Sequence, residues 1–354
     1  NLGDPKSQGE KAPRRFLEVL APKVLSKGKD YPTTSSGRYE LARDIADKGN
    51  PLTARVMINR VWLHHFGETF IDTPEDFGNQ VDAPANQPLL DYLADYFTDN
   101  NWSLKKVHRL IMTSNTYKQQ SLANPRNAVK DPYNRYFWRQ NVKRLEFEAI
   151  RDSLLCIGDV LDRTTKGQPV HLGSYRRSIY AYIDRNGLEE TLFHFDFANP
   201  NLPTGKRSQT TVPLQALFMM NGTLVIEQIK KLCGDRHFTR LAKMDRRLDY
   251  LFERIYHRLP TSKERIVCEQ FIAESPDDVK TVRDRQAEAV RAQKGAIAKG
   301  KQFAKMTGDK KIRFMEQQQR KNMTDGEVKD RAGLIKWEKL AHSMVMANEM
   351  FYVH

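Results

Sequence analysis

Residues 50–67, NPLTARVMINRVWLHHFG, constrain the fold of this chain more than any other stretch. Asn50 is a cap signal with Pro51 at the first helical position, and Gly67 is a stop signal. Leu52, Val56, Leu63 and Phe66 recur at helical spacing, while Met57, Ile58, Val61 and Trp62 fill much of the remaining circumference. A helix apolar nearly all round belongs at the centre of a fold. Arg55, Asn59, Arg60 and His64 are therefore expected to form a structural polar core, because a buried polar group without a partner is costly.

The neighbouring segments continue the helical pattern. Ser36 or Gly37 opens a helix over residues 38–47, with Leu41 and Ile45 one turn apart. Thr73 and Pro74 start a short turn anchored by Phe77, and Leu89, Leu90, Leu93 and Phe97 form one face of a helix over 88–97. Ser103 caps the next helix, with Leu104, Val107, Leu110 and Ile111 as its stripe. Residues 131–155 read as another, with Leu145, Ile150, Leu154 and Leu155 facing inward.

The middle of the chain changes period. SYRRSIYAYIDR (174–185) alternates Ile179, Ala181 and Ile183 against Ser178, Tyr180 and Tyr182, and FHFDF alternates Phe193, Phe195 and Phe197 against His194 and Asp196. Period two predicts strands. Helix resumes over 213–231 and 247–257, TSKE from Thr261 is a capping box, and Trp337, Leu340, Met344 and Val345 make a packing stripe near the end. The expected fold is mainly α: a helical array with a small β-hairpin or sheet and a basic helical insertion. Residues 1–36 form an extended arm, 37–278 the helical core, 279–336 the insertion, helical or partly disordered, and 337–354 a C-terminal helix that returns to the core.

Charge narrows the partners. The chain of 354 residues is 39% hydrophobic, enough for a real core, and has a formal net charge of +14. Residues 279–336 hold 16 Lys or Arg against 7 Asp or Glu, which is +9 of that total. Polyanions are the natural partners of such a chain: acidic polysaccharide, nucleic acid or an anionic surface.

Several chemistries find no support in the pattern. GxSxG, HExxH, GxxxxGK[ST] and a GxGxxG after a strand are all missing, which disfavours the familiar hydrolases, zinc proteases, NTPases and Rossmann enzymes. Cys156, Cys233 and Cys268 are widely spaced without CxxC or CxxCH, so no metal site and no cofactor are expected in this chain. His64 and His65 are adjacent, whereas zinc helices use His four residues apart. No apolar run long enough for a transmembrane helix occurs, and the opening NLGDPK without Met suggests a segment of a longer precursor.

Four constellations remain. Glu148 and Asp152 sit four apart, as a carboxylate pair for glycoside chemistry would, but Arg144 and Arg151 flank them and an ion-pair ladder explains them equally. In the middle region Arg176, Arg177 and Arg185 surround the expected strand, and His194 and Asp196 share one of its faces as acid/base candidates. Lys206, Arg207, Thr210 and Thr211 precede the helix opened by Pro213, whose free N–H groups suit an anion. The alternative is that these arginines pair with Asp184, Asp196, Glu189 and Glu190. Tyr133, Tyr136, Phe137 and Trp138, interleaved with Arg135 and Arg139, could stack bases or sugars, although their spacing suits a core.

The motifs GRYELARDIADKGNPLTARVMINRVWLHHFG, TPEDFG, LLDYLADYF, NWSLKKVHRLIMTSNTYKQQS, RLEFEAIRDSLL, RRSIYAYIDR, FDFANPN, TTVPLQALFMMN and ANEMFYV resemble a known family. It is the Planctomycete-type PSD domain, domain of unknown function 1553, found downstream of cytochrome-c-like domains in large secreted bacterial proteins. Asn86 and Gln87 stand where that family commonly has a His-Pro pair, and the basic insertion is not a family feature. The resemblance implies an extracytoplasmic setting, periplasmic or at the cell surface, and an upstream cytochrome-c-like domain bearing haem. It implies no reaction, because the family's activity is unassigned. Together these readings point to a module that binds an anionic polymer such as acidic polysaccharide. An enzyme acting on that polymer, and nucleic-acid binding through residues 279–336, are the alternatives.

Overall fold

The computed structural model describes residues 12–78, 81–275 and 334–353. They form two compact units, one of the residues up to Lys143 with Leu202–Arg207 and one of Arg144–Asn201 with the described residues from Ser208 to Val353. The basic segment 279–333 and residues 1–11 lie outside the described residues.

The first unit contains α1 (Arg38–Ile45), α2 (Thr53–Phe66), α3 (Gln87–Asp99), α4 (Leu104–Thr113) and α5 (Pro125–Lys130). Helix α2 packs on α3, and α3 on α4. Ile58, Trp62, Phe66, Leu90, Leu93, Phe97, Val107 and Ile111 are buried in their shared core. The Trp62 ring stacks on Phe66 with centroids 4.1 Å apart and leans on Phe70 at 4.4 Å. Gly67 ends α2 at φ 76°, its N–H donating to Leu63 O, and a Cβ there would meet Lys143 Cγ at 2.7 Å. The stop signal thus rests on both handedness and close approach.

The helical start and the buried stripe differ from expectation. Helix α2 begins at Thr53, because Asn50 accepts from Leu52 N–H with its side-chain oxygen and donates to the carbonyls of Asp44 and Ile45. Asn50 therefore splices α1 to α2 instead of capping at Pro51. The buried stripe is Ala54, Ile58, Val61, Trp62 and Phe66, and Leu52 and Met57 face outward. Of the four expected polar core residues, Asn59 is fully buried and bonds both ways to Ile71 and to Phe70 N–H. Arg55 lies at the rim, 2.7 Å from Asp91, while Arg60 and His64 are exposed. One long apolar circumference was too generous: α2 has a wet side.

Helix α1 inverts its expected face. Leu41 and Ile45 are 40% and 45% exposed, and the buried residue is Asp44, which accepts from Tyr31 Oη at 2.8 Å and from Ser26 N–H. The arm before α1 is thereby fastened by a carboxylate, with a 3-10 turn at Ala21–Lys23 and a small cluster of Phe16, Val24 and Tyr31. Residues 131–146 are not helical. Asp131 accepts from the N–H groups of Arg135 and Tyr136, which turns the chain where a helix was expected.

The second unit contains α6 (Phe147–Ile157), α7 (Glu190–His194), α8 (Pro213–Asn221), α9 (Thr223–Gly234), α10 (Arg236–Arg240), α11 (Met244–Tyr256), α12 (Ser262–Glu274), α13 (Lys336–Val345) and α14 (Asn348–Phe351). Helix α9 is its axis, packed by α6, α8, α10 and α13. Gly222 separates α8 from α9, so the single helix expected over 213–231 is two. The box at Thr261 forms as expected: its hydroxyl accepts from Glu264 N–H, and Glu264 accepts from Thr261 N–H. Trp337, Leu340, Met344 and Val345 are all buried on α13.

The fold is mainly α, as the helical periodicity predicts, but the strands are not where alternation put them. The one sheet among the described residues pairs two-residue strands, β1 (Lys143–Arg144) and β2 (Tyr352–Val353). Residues 174–185 hold a 3-10 turn at Ser178–Tyr180 and two isolated bridges. FHFDF closes α7, with Leu192 and Phe195 buried and Phe193 72% exposed. Three-residue spacing put Leu192 and Phe195 on one face, so the alternating phenylalanines were a coincidence of period.

Candidate functional site

The first turn of α8 is the best-organised polar feature of the second unit. Pro213 occupies the first helical position, where no N–H is needed, and Val212 precedes it in extended conformation. Gln215, one turn in, is 4% exposed and has a partner at each end of its amide: Oε1 accepts from Arg144 at 2.7 Å, and Nε2 donates to His194 O at 2.9 Å. Arg144 also donates to the carbonyl of Thr210. Thr210 in turn donates its N–H and its hydroxyl to the two oxygens of Asp196, at 2.8 and 2.7 Å. Asp196, Thr210, Arg144, Gln215 and His194 thus close a hydrogen-bonded ring through the turn that joins His194 to Asp196.

Beside this ring lies a cavity of ≈ 320 Å³. Arg144, Thr211, Gln215 and Asn348 contribute polar groups to its lining, and Met219, Met220, Met346, Phe351 and Tyr352 apolar or aromatic ones. Arg144 is the one charged side chain among the described residues that line it. Neither a carboxylate nor an imidazole is among the described residues of its lining, so its charge is that of one guanidinium.

The structure brings His194, Asp196, Thr210 and Thr211 together, in roles the sequence did not assign. His194 contributes its carbonyl, and its ring lies 3.7 Å from Glu190. Asp196 sits at φ 59°, in the left-handed region, not on a strand face with His194. Its carboxylate is an acceptor for Thr210. Lys206 pairs with Glu68 at 2.8 Å within the first unit, which also contains Arg207.

The middle arginines have partners other than those expected. Arg176 donates to the carbonyls of Thr164, Lys166 and Gln168 and covers the Tyr180 ring at 4.4 Å. Arg177 lies 4.0 Å from Asp152, and Arg185 donates to Asn201 Oδ1. Arg176 and Arg185 therefore organise loops by carbonyl and amide contacts and Arg177 pairs with Asp152, in place of pairing with Asp184, Glu189 and Glu190.

On α6, Glu148 is half-buried, and Asp152 accepts from both the N–H and the hydroxyl of Ser178, at 2.8 and 2.7 Å. Neighbouring Arg151 is 2% exposed and donates to Leu172 O, Ser174 O and Arg176 O as well as to Asp152. Burial pushes its guanidinium below the usual range, and Asp152 pulls it back. This pair fastens the 172–178 loop to α6.

In the first unit, His65 Nε2 meets His108 Nδ1 at 2.8 Å, and burial followed by the His108 and Lys143 charges lowers the His65 imidazole. Among the described residues no three of His, Cys, Asp and Glu gather as a metal site would require. Phe137 joins the core, whereas Tyr133 and Tyr136 are 80% and 67% exposed, and Arg139 lies over Trp138 at 5.3 Å.

Arg144, Gln215, Met219, Met220, Met346 and Asn348 were missed as site residues. A signal did exist: RLEFEAIRDSLL, TTVPLQALFMMN and ANEMFYV each contribute wall residues to one cavity. What hid it is their separation along the chain.

The model of the PSD1 family, described as a protein of unknown function (DUF1553), matches residues 37–272, more than half of the chain. Neither a curated protein nor a solved structure matches it.

Proposed function

We propose that this chain, which belongs to the PSD1 (DUF1553) family, is a binding module that holds one acidic sugar unit of an anionic polysaccharide in the cavity beside α8. The observation that carries this reading is the single charge of the lining, Arg144, in a wall shared with Met219, Met220 and Phe351. Arginine recognises a carboxylate or sulfate through paired N–H donors, and a sugar ring places its C–H face on apolar side chains. Arg144 is already oriented by Thr210 and Gln215, so little side-chain entropy is lost on binding. The family resemblance supports an extracytoplasmic setting beside an upstream haem-bearing domain, and we take that as the module's context.

The test is calorimetric titration of the whole chain with oligogalacturonate, a sulfated oligosaccharide and a neutral oligosaccharide, across a salt series. Acidic ligands are expected to bind more tightly than the neutral one. Arg144→Gln is expected to weaken them about 10- to 100-fold, the worth of a charge-assisted hydrogen bond. Met220→Glu, in the cavity lining, is expected to weaken them similarly by repulsion while leaving the ring intact. Equal affinity for neutral and acidic ligands, or no change in either variant, overturns the reading. Binding that disappears on deletion of residues 279–333, with a salt slope set by charge alone, reduces it to counterion release.

A further inference from the structure

A second cavity, of ≈ 290 Å³, belongs wholly to the first unit and has the opposite electrostatic character. Asp72, Asp82 and Arg135 line it, all exposed, and none has a side-chain partner among the described residues. Asn86 stands beside them, its Oδ1 turned to Leu89 N–H as the cap of α3, which leaves its amide N–H₂ as a donor. Phe70 and Phe137, 8% and 7% exposed, contribute apolar wall.

Thr69 lines the same cavity. It is 7% exposed, and its hydroxyl is buried without a hydrogen-bond partner among the described residues. Buried hydroxyls in folded proteins are nearly always satisfied, so an orphan one in the wall of a cavity points to a ligand that supplies the missing bond.

We propose that this cavity is a binding site for one neutral sugar ring. Its size suits a single monosaccharide unit. Vicinal hydroxyls both donate and accept, so they can donate to Asp72 and Asp82, accept from Arg135 and Asn86, and meet the Thr69 hydroxyl in either role. The ring's C–H face then lies against Phe70 or Phe137. An acidic sugar is disfavoured, because two carboxylates outnumber one guanidinium in the lining. A lone cation would face Arg135 and would leave the aromatic wall without a role. The site is independent of the Arg144 cavity: different residues, and the opposite preference for charge.

Saturation-transfer NMR and calorimetry on the whole chain, with glucose, galactose, xylose and their methyl glycosides, test the proposal, with galacturonate, glycine and Ca²⁺ as comparisons. A neutral sugar is expected to bind, and Arg135→Gln and Asp72→Asn, both at exposed positions, are each expected to weaken it about tenfold. Thr69→Val, nearly isosteric, is expected to weaken the sugar as well while raising or preserving the melting temperature of the free protein, since it removes an unsatisfied buried group. Arg144→Gln is expected to leave neutral-sugar binding unchanged, so failure here is separable from failure at the α8 cavity. Absence of neutral-sugar binding at tens of millimolar, binding indifferent to all three substitutions, or preference for glycine, Ca²⁺ or, in the Arg144→Gln protein, galacturonate each overturns it.

Discussion

Asp196 and Thr210 are joined twice: the N–H and the hydroxyl of Thr210 both donate to the Asp196 carboxylate, at 2.8 and 2.7 Å. The pair holds Thr210, three residues before Pro213 opens α8, in place, and through Thr210 O it also orients Arg144. Asp196→Ala is therefore expected to cost about 1–2 kcal/mol and to weaken acidic-ligand binding. Asp196→Asn, which tolerates the left-handed conformation at φ 59° and retains one acceptor, is expected to cost less than half of that. Urea denaturation of the two variants checks the order. Equal losses would show that the intact carboxylate, not tolerance of the left-handed conformation, is what matters.

Gln228 lies on α9 at 0% exposure, and neither its Nε2 nor its Oε1 has a partner among the described residues. Burying an unsatisfied amide costs about 1–3 kcal/mol, so Gln228→Met, of similar length and helix propensity, is expected to stabilise the protein by about that amount. Thermal and denaturant unfolding measure it directly. A destabilised Gln228→Met protein would falsify the assignment of Gln228 as unsatisfied.

Arg258 lies between two carboxylates, 2.6 Å from Glu264 at the start of α12 and 2.6 Å from Glu349 in α14. The Arg258 guanidinium, together with the Thr261 N–H and hydroxyl, draws the Glu264 carboxyl from 4.5 down to about 2. A carboxyl depressed on folding stabilises the folded state above its unfolded value and loses that contribution as it protonates. The stability contributed by Glu264 is expected to be complete above about pH 5 and to fade as pH falls from 4.5 towards 2. Solvent at this third-exposed pair screens part of it. Acid titration of unfolding in wild type and Glu264→Gln checks this: the two curves should converge at low pH.

Gly67→Ala is expected to destabilise by about 1–2 kcal/mol, since a side chain at φ 76° is strained and its Cβ would collide with Lys143 Cγ. Lys143→Ala in the same background removes the collision and should recover part of the loss. If the double variant recovers nothing, handedness alone accounts for the cost.

Several signals that act through neighbours in the chain were legible: Gly67 closes α2, Thr261 and Glu264 form their box, and Trp337 to Val345 present the predicted buried stripe, whereas Asn50 does not cap α2 and Ser103 makes no side-chain capping bond. The expected strands failed because alternation over five to seven residues cannot be told from helical spacing when Phe193 is left in water. The face of α1 failed for another reason. Asp44 is buried because Tyr31 and Ser26 come from an arm thirteen and eighteen residues away to satisfy it, and no local pattern announces that.

By itself the sequence determined what local physics decides: a mainly helical chain, its principal helix breaks, its basic charge and its kinship with one family. Tertiary structure alone decided which polar residues meet. Arg144 reaches Thr210 and Gln215 across 66 and 71 residues, and the cavity beside them draws its walls from three separated segments. Partners at such separations are chosen by packing, since burying the α8 and α13 stripes brings those segments together, and hydrogen-bonding groups carried along must then find one another or remain unsatisfied.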